Sequence, residues 1–165
     1  MTIVYIGLGS NLADPQAQVE SGLRALAELA QTRLLRRSRL YRSAPWGRAD
    51  QPEFVNAVAQ LDTALAPQIL LDALLAIERH AGRERDATRW GPRVLDLDIL
   101  LYGDLLLDTP GLHLPHPHLR ERVFVLMPLC EIAPELQIPG QGQTATLLAR
   151  LDASACRVLK SRCAA

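Results

Sequence analysis

The sequence predicts an α+β fold: a ferredoxin-like βαββαβ antiparallel sheet followed by a hairpin and a C-terminal extension. Two observations carry that reading. Two stretches have apolar residues at helical spacing, each with a proline at its first turn. The segments around them alternate with a period of two, and the resulting order of strands and helices is the split-βαβ plan. With 165 residues and 48% apolar content, the chain is long enough for a proper core in one domain, expected to span residues 1–165.

Thr2 to Leu8 is β-rich, and Gly9-Ser10-Asn11 reads as a turn. Asp14-Pro15 is a capped helix start, and Val19, Leu23, Leu26 and Ala30 carry that helix to about Gln31. Arg33 to Arg42 reads as one strand, with Leu34 and Leu40 on one face and Leu35 and Tyr41 on the other. Ser43 to Pro52 is a long loop. From Phe54 to Leu61, Val55, Ala57, Ala59 and Leu61 form one face, and Phe54, Asn56, Val58 and Gln60 the other. Pro67 opens a second helix with Leu70, Leu74 and Ile77 on its stripe, and Gly82 ends it. A loop from Arg83 to Pro92 leads into a strand from Val94. Gly103-Asp104 is expected to turn into a hairpin with Leu105 to Leu107, and the helices to pack on one sheet face. Beyond lie a short helix near Leu119 to Phe124, another at Thr144 to Leu151, and a final strand at Cys156 to Leu159.

Composition narrows the function classes. Lys+Arg and Asp+Glu number 18 each, so bulk charge does not point to a nucleic-acid partner. No apolar run is long enough for a bilayer and the N-terminus enters a strand directly, so no membrane association is expected. Cys130, Cys156 and Cys163 read as free thiols, which suits a cytoplasmic protein. Lys160 is the single lysine, leaving 17 arginines, and five of them (Arg79, Arg83, Arg85, Arg89, Arg93) lead toward one acidic strand.

That strand is the chemical centre. In Arg89–Ile99, RWGPRVLDLDI, Leu95, Leu97 and Ile99 fall on one face and Asp96 and Asp98 on the other. The two carboxylates stand about 6.5–7 Å apart along the backbone, close enough to share hard cations. Arginines beside them suit phosphate. Gly7 and Gly9 make G-x-G, but no third glycine and no Gly-Lys-Ser/Thr follows, so neither a dinucleotide fingerprint nor a P-loop is present. Phe54 and Asn56 share a strand face, a ring for the face of a heterocycle and an amide for its edge. Among His113, His116 and His118, His116 is preferred as a phosphate or nucleotide contact. His113 and His118 read as surface residues, and His80 as a helix-end residue near the negative dipole.

Five strings, GLGSNL (Gly7–Leu12), DQPEFVNAV (Asp50–Val58), GRERDATRWGPRVLDLDILLYG (Gly82–Gly103), LPHPHLRERVFVLMPL (Leu114–Leu129) and EIAPEL (Glu131–Leu136), resemble the hydroxymethyl-dihydropterin pyrophosphokinases of folate biosynthesis. The resemblance implies transfer of pyrophosphate from ATP to a pterin alcohol, releasing AMP. It implies that Asp96 and Asp98 ligate two Mg²⁺ ions and that Arg83 and Arg93 stabilise the transferring group. Arg85, Arg89, Trp90, Ile99, His116 and Arg122 would contact ATP. Ser43, Ala44, Pro45, Trp46, Phe54, Asn56 and Phe124 would hold the pterin, Phe54 and Phe124 from its two faces. The sequence departs from the family's pattern at Phe54, where tyrosine is common, and at Gly111 and Pro117, where an arginine and a tyrosine can assist ATP. Trp46 is a bulky choice in its loop.

The loops Ser43 to Pro52 and Arg83 to Pro92 are the natural lids, since water in an open site competes as acceptor. The chain is expected to work as a monomer. Two other classes fit the residues alone. A metal-dependent phosphohydrolase or nuclease would use the same aspartates with water, and a nucleotide-binding sensor would show no turnover.

Overall fold

The computed structural model describes residues 1–45, 50–82 and 93–160. In chain order the elements are β1 (Thr2–Ser10), α1 (Pro15–Ala27), β2 (Thr32–Arg37), β3 (Tyr41–Ser43), β4 (Phe54–Thr63), α2 (Pro67–His80), β5 (Asp96–Tyr102), β6 (Leu107–Thr109), β7 (Leu112–Leu114), α3 (Val123–Ile132), β8 (Gln137–Ile138), β9 (Gly142–Gln143), α4 (Thr144–Leu148) and β10 (Cys156–Val158). A 3₁₀ turn at Leu119–Glu121 precedes α3. The main sheet has the order β10-β3-β4-β1-β5, with β2 also paired to β4, and every pairing is antiparallel. The fold is therefore α+β. β4 lies between β1 and the β2–β3 segment, the split-βαβ arrangement that the element order predicts.

Period-two alternation builds the first core. Val4, Ile6 and Leu8 of β1, Val55, Ala57, Ala59 and Leu61 of β4, and Leu95, Leu97 and Ile99 face one way. Val19, Leu23 and Leu26 of α1 and Leu70 and Leu74 of α2 pack on them, and Leu34, Leu40 and Ile77 join partly buried. Each fully buried leucine contributes about 1.5–3 kcal/mol. The Asp14 side chain caps α1 by accepting from the Ala17 N–H at 3.2 Å, a bond worth about 1 kcal/mol.

Several boundaries differ from expectation. β1 continues through Gly9 and Ser10, which pair with Asn56 and Val55, so these residues are strand rather than turn. α1 stops at Ala27, because the chain reverses through Gln31 at φ 57° to start β2. The expected strand from Arg33 to Arg42 is two strands interrupted at Ser38. There the Ser38 N–H donates to Val58 O at 2.9 Å, and Ser38 Oγ accepts from the Val58 N–H at 3.0 Å, so a hydroxyl stands in for part of the ladder. Gly103 turns the chain at φ 51°, but Leu105–Leu107 does not return along β5. The hairpin is β6 with β7, turning at Pro110-Gly111, and beyond it the His116 N–H donates to Leu100 O at 2.9 Å beside β5.

The larger correction concerns the second sheet face, which is covered too. α3 and the Leu147 turn of α4 pack Val125, Leu126, Leu129, Ile132 and Leu147 against Tyr5, Val58, Leu100 and Leu101. The short helix expected near Leu119 to Phe124 is the 3₁₀ turn followed by the ten-residue α3, which contains Pro128. α3 is apolar nearly all round, so it shows no stripe to read. α3 leaves part of this second face open, and the cleft lies there.

Candidate functional site

The cleft exists because its floor lacks side chains. On β1, Gly7 and Gly9 point to the second face, with the alternation that sends Ile6 and Leu8 into the first core. A Cβ on Gly9 would stand 3.2 Å from Asn56 Oδ1, and one on Gly7 would stand 3.3 Å from Leu100 Cδ2. Register then sets the neighbours. Asn56, Gly9 and Asp96 form one row across β4, β1 and β5, and Val58, Gly7 and Asp98 the next. Asn56 and Asp96 are two strand spacings apart, about 10 Å. The cleft volume is about 400 Å³.

At the β5 side the groups are ionic. Arg93 Nη1 donates to Asp96 Oδ2. Arg122 Nη1 lies 3.9 Å and His116 Nε2 3.8 Å from Asp98 Oδ2. Burial and the charge on Asp96 hold the Asp98 carboxyl above its ordinary range, while Arg122 and Arg93 pull it back down. Burial, with help from the Arg122 charge, pushes His116 down to about 4, so its ring is neutral at neutral pH. His116 Nδ1 accepts from the His118 N–H at 3.2 Å, which places the ring proton on Nε2, toward Asp98 and the cleft. Arg122 is 7% exposed, and its guanidinium carbon lies 5.8 Å from the Phe124 ring centre.

The β4 side, with Phe54 and Asn56, is neutral. Both phenylalanines of the chain line the cleft, Phe54 from β4 and Phe124 from α3. Asn56 is buried, and its Nδ2 donates to Ser43 Oγ at 2.8 Å, which leaves Oδ1 on the Gly9 side. A flat heterocycle with hydrogen-bonding edges suits such a wall.

Asn11, just past β1, ties the two flanking loops together. Its Nδ2 donates to Gln51 Oε1 at 3.1 Å and to Pro52 O at 3.2 Å. Its Oδ1 accepts from the Arg93 N–H at 2.8 Å, and its own N–H donates to Arg93 O at 3.1 Å.

Of the residues singled out from sequence, Ser43, Ala44, Phe54, Asn56, Arg93, Asp96, Asp98, Ile99, His116, Arg122 and Phe124 all line this one cleft. Pro45 is described but does not line it. Arg83, Arg85, Arg89, Trp90 and Trp46 lie outside the described residues. His113 is exposed and His118 partly so, as the surface reading expects, yet both also line the cleft, hydrogen-bonded to Asp108 at 2.5 Å and Glu121 at 3.2 Å respectively. His80 ends α2, as its sequence position suggests. Sequence reasoning missed Asn11, whose partners are all distant in the chain. It also passed over the glycine floor, although two glycines at a spacing of two on a strand face were a readable signal. Leu71 and Leu100 also line the cleft, and nothing in the sequence singles them out.

Among the described residues no three histidine, cysteine or acidic side chains converge as a metal cage. A carboxylate pair completed by substrate oxygens is instead the pattern Mg²⁺ accepts, and Asp96 and Asp98 fit it.

Comparison with known proteins identifies relatives of the chain. The chain is 57% identical over 146 residues, 88% of its length and 90% of the relative's, to a 2-amino-4-hydroxy-6-hydroxymethyldihydropteridine pyrophosphokinase of Pseudomonas aeruginosa. It is 46% identical over 154 residues, 93% of this chain and 96% of the relative, to the protein of that name in Methylorubrum extorquens. Among solved structures, Plasmodium falciparum HPPK-DHPS with pteroate superposes at a TM-score of 0.70 and 14% identity. That match covers 90% of this chain and 42% of the longer Plasmodium chain, and it speaks to the fold. The family profile for 7,8-dihydro-6-hydroxymethylpterin-pyrophosphokinase (HPPK) matches residues 5–134, and the chain belongs to that family.

Proposed function

We propose that this cleft is where the chain transfers pyrophosphate from ATP to the hydroxymethyl group of hydroxymethyl-dihydropterin, giving AMP and the pterin diphosphate in folate biosynthesis. ATP and the pterin are its two substrates. The observation that carries the site assignment is the row Asn56–Gly9–Asp96, which sets a ring-binding wall and a phosphate-binding wall across one open strip of sheet.

The pterin lies between Phe54 and Phe124, with its edge on Asn56 Oδ1 and on the backbone of Ser43 to Trp46. The ATP phosphates lie along the β5 side, where Arg93 and Arg122 meet their charge and His116 donates from Nε2. Arg85, Arg89 and Trp90 add nucleotide contacts, Ile99 meets the base through its backbone, and Arg83 reaches the transferring group. Arg93 neutralises Asp96, so a phosphate that takes the guanidinium leaves more of this carboxylate's charge for a cation. Asp96 and Asp98 would hold two Mg²⁺ ions, which would supply neutralisation of phosphate charge and acidification of the pterin alcohol. The alcohol oxygen attacks the β-phosphorus, the bond from that phosphorus to the bridging oxygen of AMP breaks, and the alcohol proton is taken up at the aspartate pair. The arginines supply fixed positive charge where the equatorial oxygens gain negative charge. The chain acts as a cytoplasmic monomer without nucleic-acid or membrane partners. The two cleft walls coming from one chain support the first point.

Incubating the protein with ATP, Mg²⁺ and hydroxymethyl-dihydropterin tests the reading. AMP and pterin diphosphate in equal amounts are expected. ADP in place of AMP would mean attack at the γ-phosphorus, phosphate release without pterin would mean a hydrolase, and no turnover would mean a binding module.

A further inference from the structure

Glu78 is the one acid buried within the α2 stripe. It follows Leu70 and Leu74 at helical spacing and is 2% exposed. A carboxylate is costly there twice over, by loss of hydration and by its place in the last turn of a helix, where the dipole repels negative charge. Its Oε1 accepts from the Leu97 N–H at 2.7 Å. Among the described residues β5 ends the sheet and pairs only with β1, so an N–H on its outer edge meets no strand there. That N–H belongs to the peptide plane joining Asp96 to Leu97. A bond to it therefore fixes the backbone that carries Asp96 and, one residue on, Asp98.

We propose that Glu78 is a positioning residue: its carboxylate, anchored on α2, holds the outer edge of β5 so that Asp96 and Asp98 present their oxygens at the spacing a divalent cation needs. This rests on the reading of the two aspartates as cation ligands. A carboxylate that merely satisfied an edge donor would differ in its consequences. It costs stability when broken but leaves cation binding alone.

Two substitutions separate reach from charge. Glu78→Gln keeps the length and an acceptor oxygen, whereas Glu78→Asp keeps the charge and draws the oxygen back by one carbon. Mn²⁺ is the probe, its binding to protein plus a non-hydrolysable ATP analogue followed by electron paramagnetic resonance. The Mg²⁺ dependence of kcat, the pterin KM and the thermal midpoint are measured beside it. Glu78→Gln is expected to bind Mn²⁺ like the parent. Glu78→Asp is expected to bind it about 10-fold more weakly or worse, as is usual when the support of a ligand is lost. It should also need more Mg²⁺ for half-maximal rate, with the pterin KM nearly unchanged. A Glu78→Asp protein with a lower thermal midpoint but parental Mn²⁺ binding overturns the proposal, and so do equal losses in both variants. Should Glu78→Asp fail to fold, Glu78→Met, which keeps the length without the acceptor, takes its place: weaker Mn²⁺ binding sustains the proposal and parental binding overturns it. Asp96→Asn separates the two layers. If it binds Mn²⁺ normally, the ligand reading itself fails. If it loses Mn²⁺ while Glu78→Asp does not, only the role of Glu78 falls.

Discussion

Phe54 opens β4 and stands in neither core cluster, half-buried at the cleft wall with Ser43 as its strand partner. A ring there that only filled core would have joined one of the two clusters. Phe54→Ala is therefore expected to leave the fold intact and to raise the pterin KM far more than the ATP KM. Stacking accounts for about 0.5–1.5 kcal/mol beyond the buried area, so the change is clear but incomplete. Steady-state kinetics with each substrate varied in turn reads it. Equal damage to both constants would return Phe54 to a structural role. The neighbouring Asn56 shows the same economy, because Ser43 takes its amide nitrogen and leaves the oxygen for a ligand.

At the level of elements, the join between strands and loops matters most. Asn11 makes four hydrogen bonds, two to Gln51 and Pro52 and two to Arg93, and is 2% exposed. Both flanking loops are thus rooted on one side chain at the end of β1. Asn11→Ala removes the partner of the Arg93 N–H and of the Pro52 carbonyl, both part-buried bonds, at a cost of about 0.5–1.5 kcal/mol each. Because one root lies on the side proposed for the pterin and the other carries Arg93, the variant is expected to raise the KM for both substrates. Chemical denaturation together with two-substrate kinetics checks it. A stability loss with both constants unchanged would show that other contacts hold the loop roots.

The whole molecule is a sheet covered on both faces, and α3 must be held where it leaves the glycine strip open. Tyr41 OH donates to Glu131 Oε2 at 2.5 Å, Arg39 Nε donates to Glu131 Oε1 at 3.2 Å, and Arg36 Nη1 donates to Ile132 O at 3.1 Å. These bonds fasten the C-terminal end of α3 to β2 and β3. Burial first, then the bond to Glu131, pushes Tyr41 up from 10.0 to about 12. For a group whose pKa is raised on folding, the stabilisation is complete below the unfolded value and is lost as pH climbs through the folded one. Wild type should therefore exceed Tyr41→Phe in stability below pH 10, and the two should converge toward about pH 12. Urea midpoints across the alkaline range measure this. A gap that persists unchanged above the upper value would mean that Tyr41 acts through packing alone.

Local pattern by itself determined β1, α1, β4, α2 and the Leu–Asp alternation of β5, because period and breaker residues act within a few positions of one another. It also picked out Asp96, Asp98, Arg93, Phe54 and Asn56, whose chemistry is legible from residue type and strand face, and the resemblance added Phe124. It did not show α3 covering the second face, since a helix apolar on all sides carries no direction. Nor did it show that β6 pairs with β7, because the Gly103 and Pro110-Gly111 turns look equally good until His116 takes the place beside β5. The row Asn56–Gly9–Asp96, the clamp at Asn11 and the bond from Leu97 to Glu78 were decided only by the tertiary structure. Each depends on register between segments dozens of residues apart, and register is set by the joint burial of whole strands rather than by any one of them.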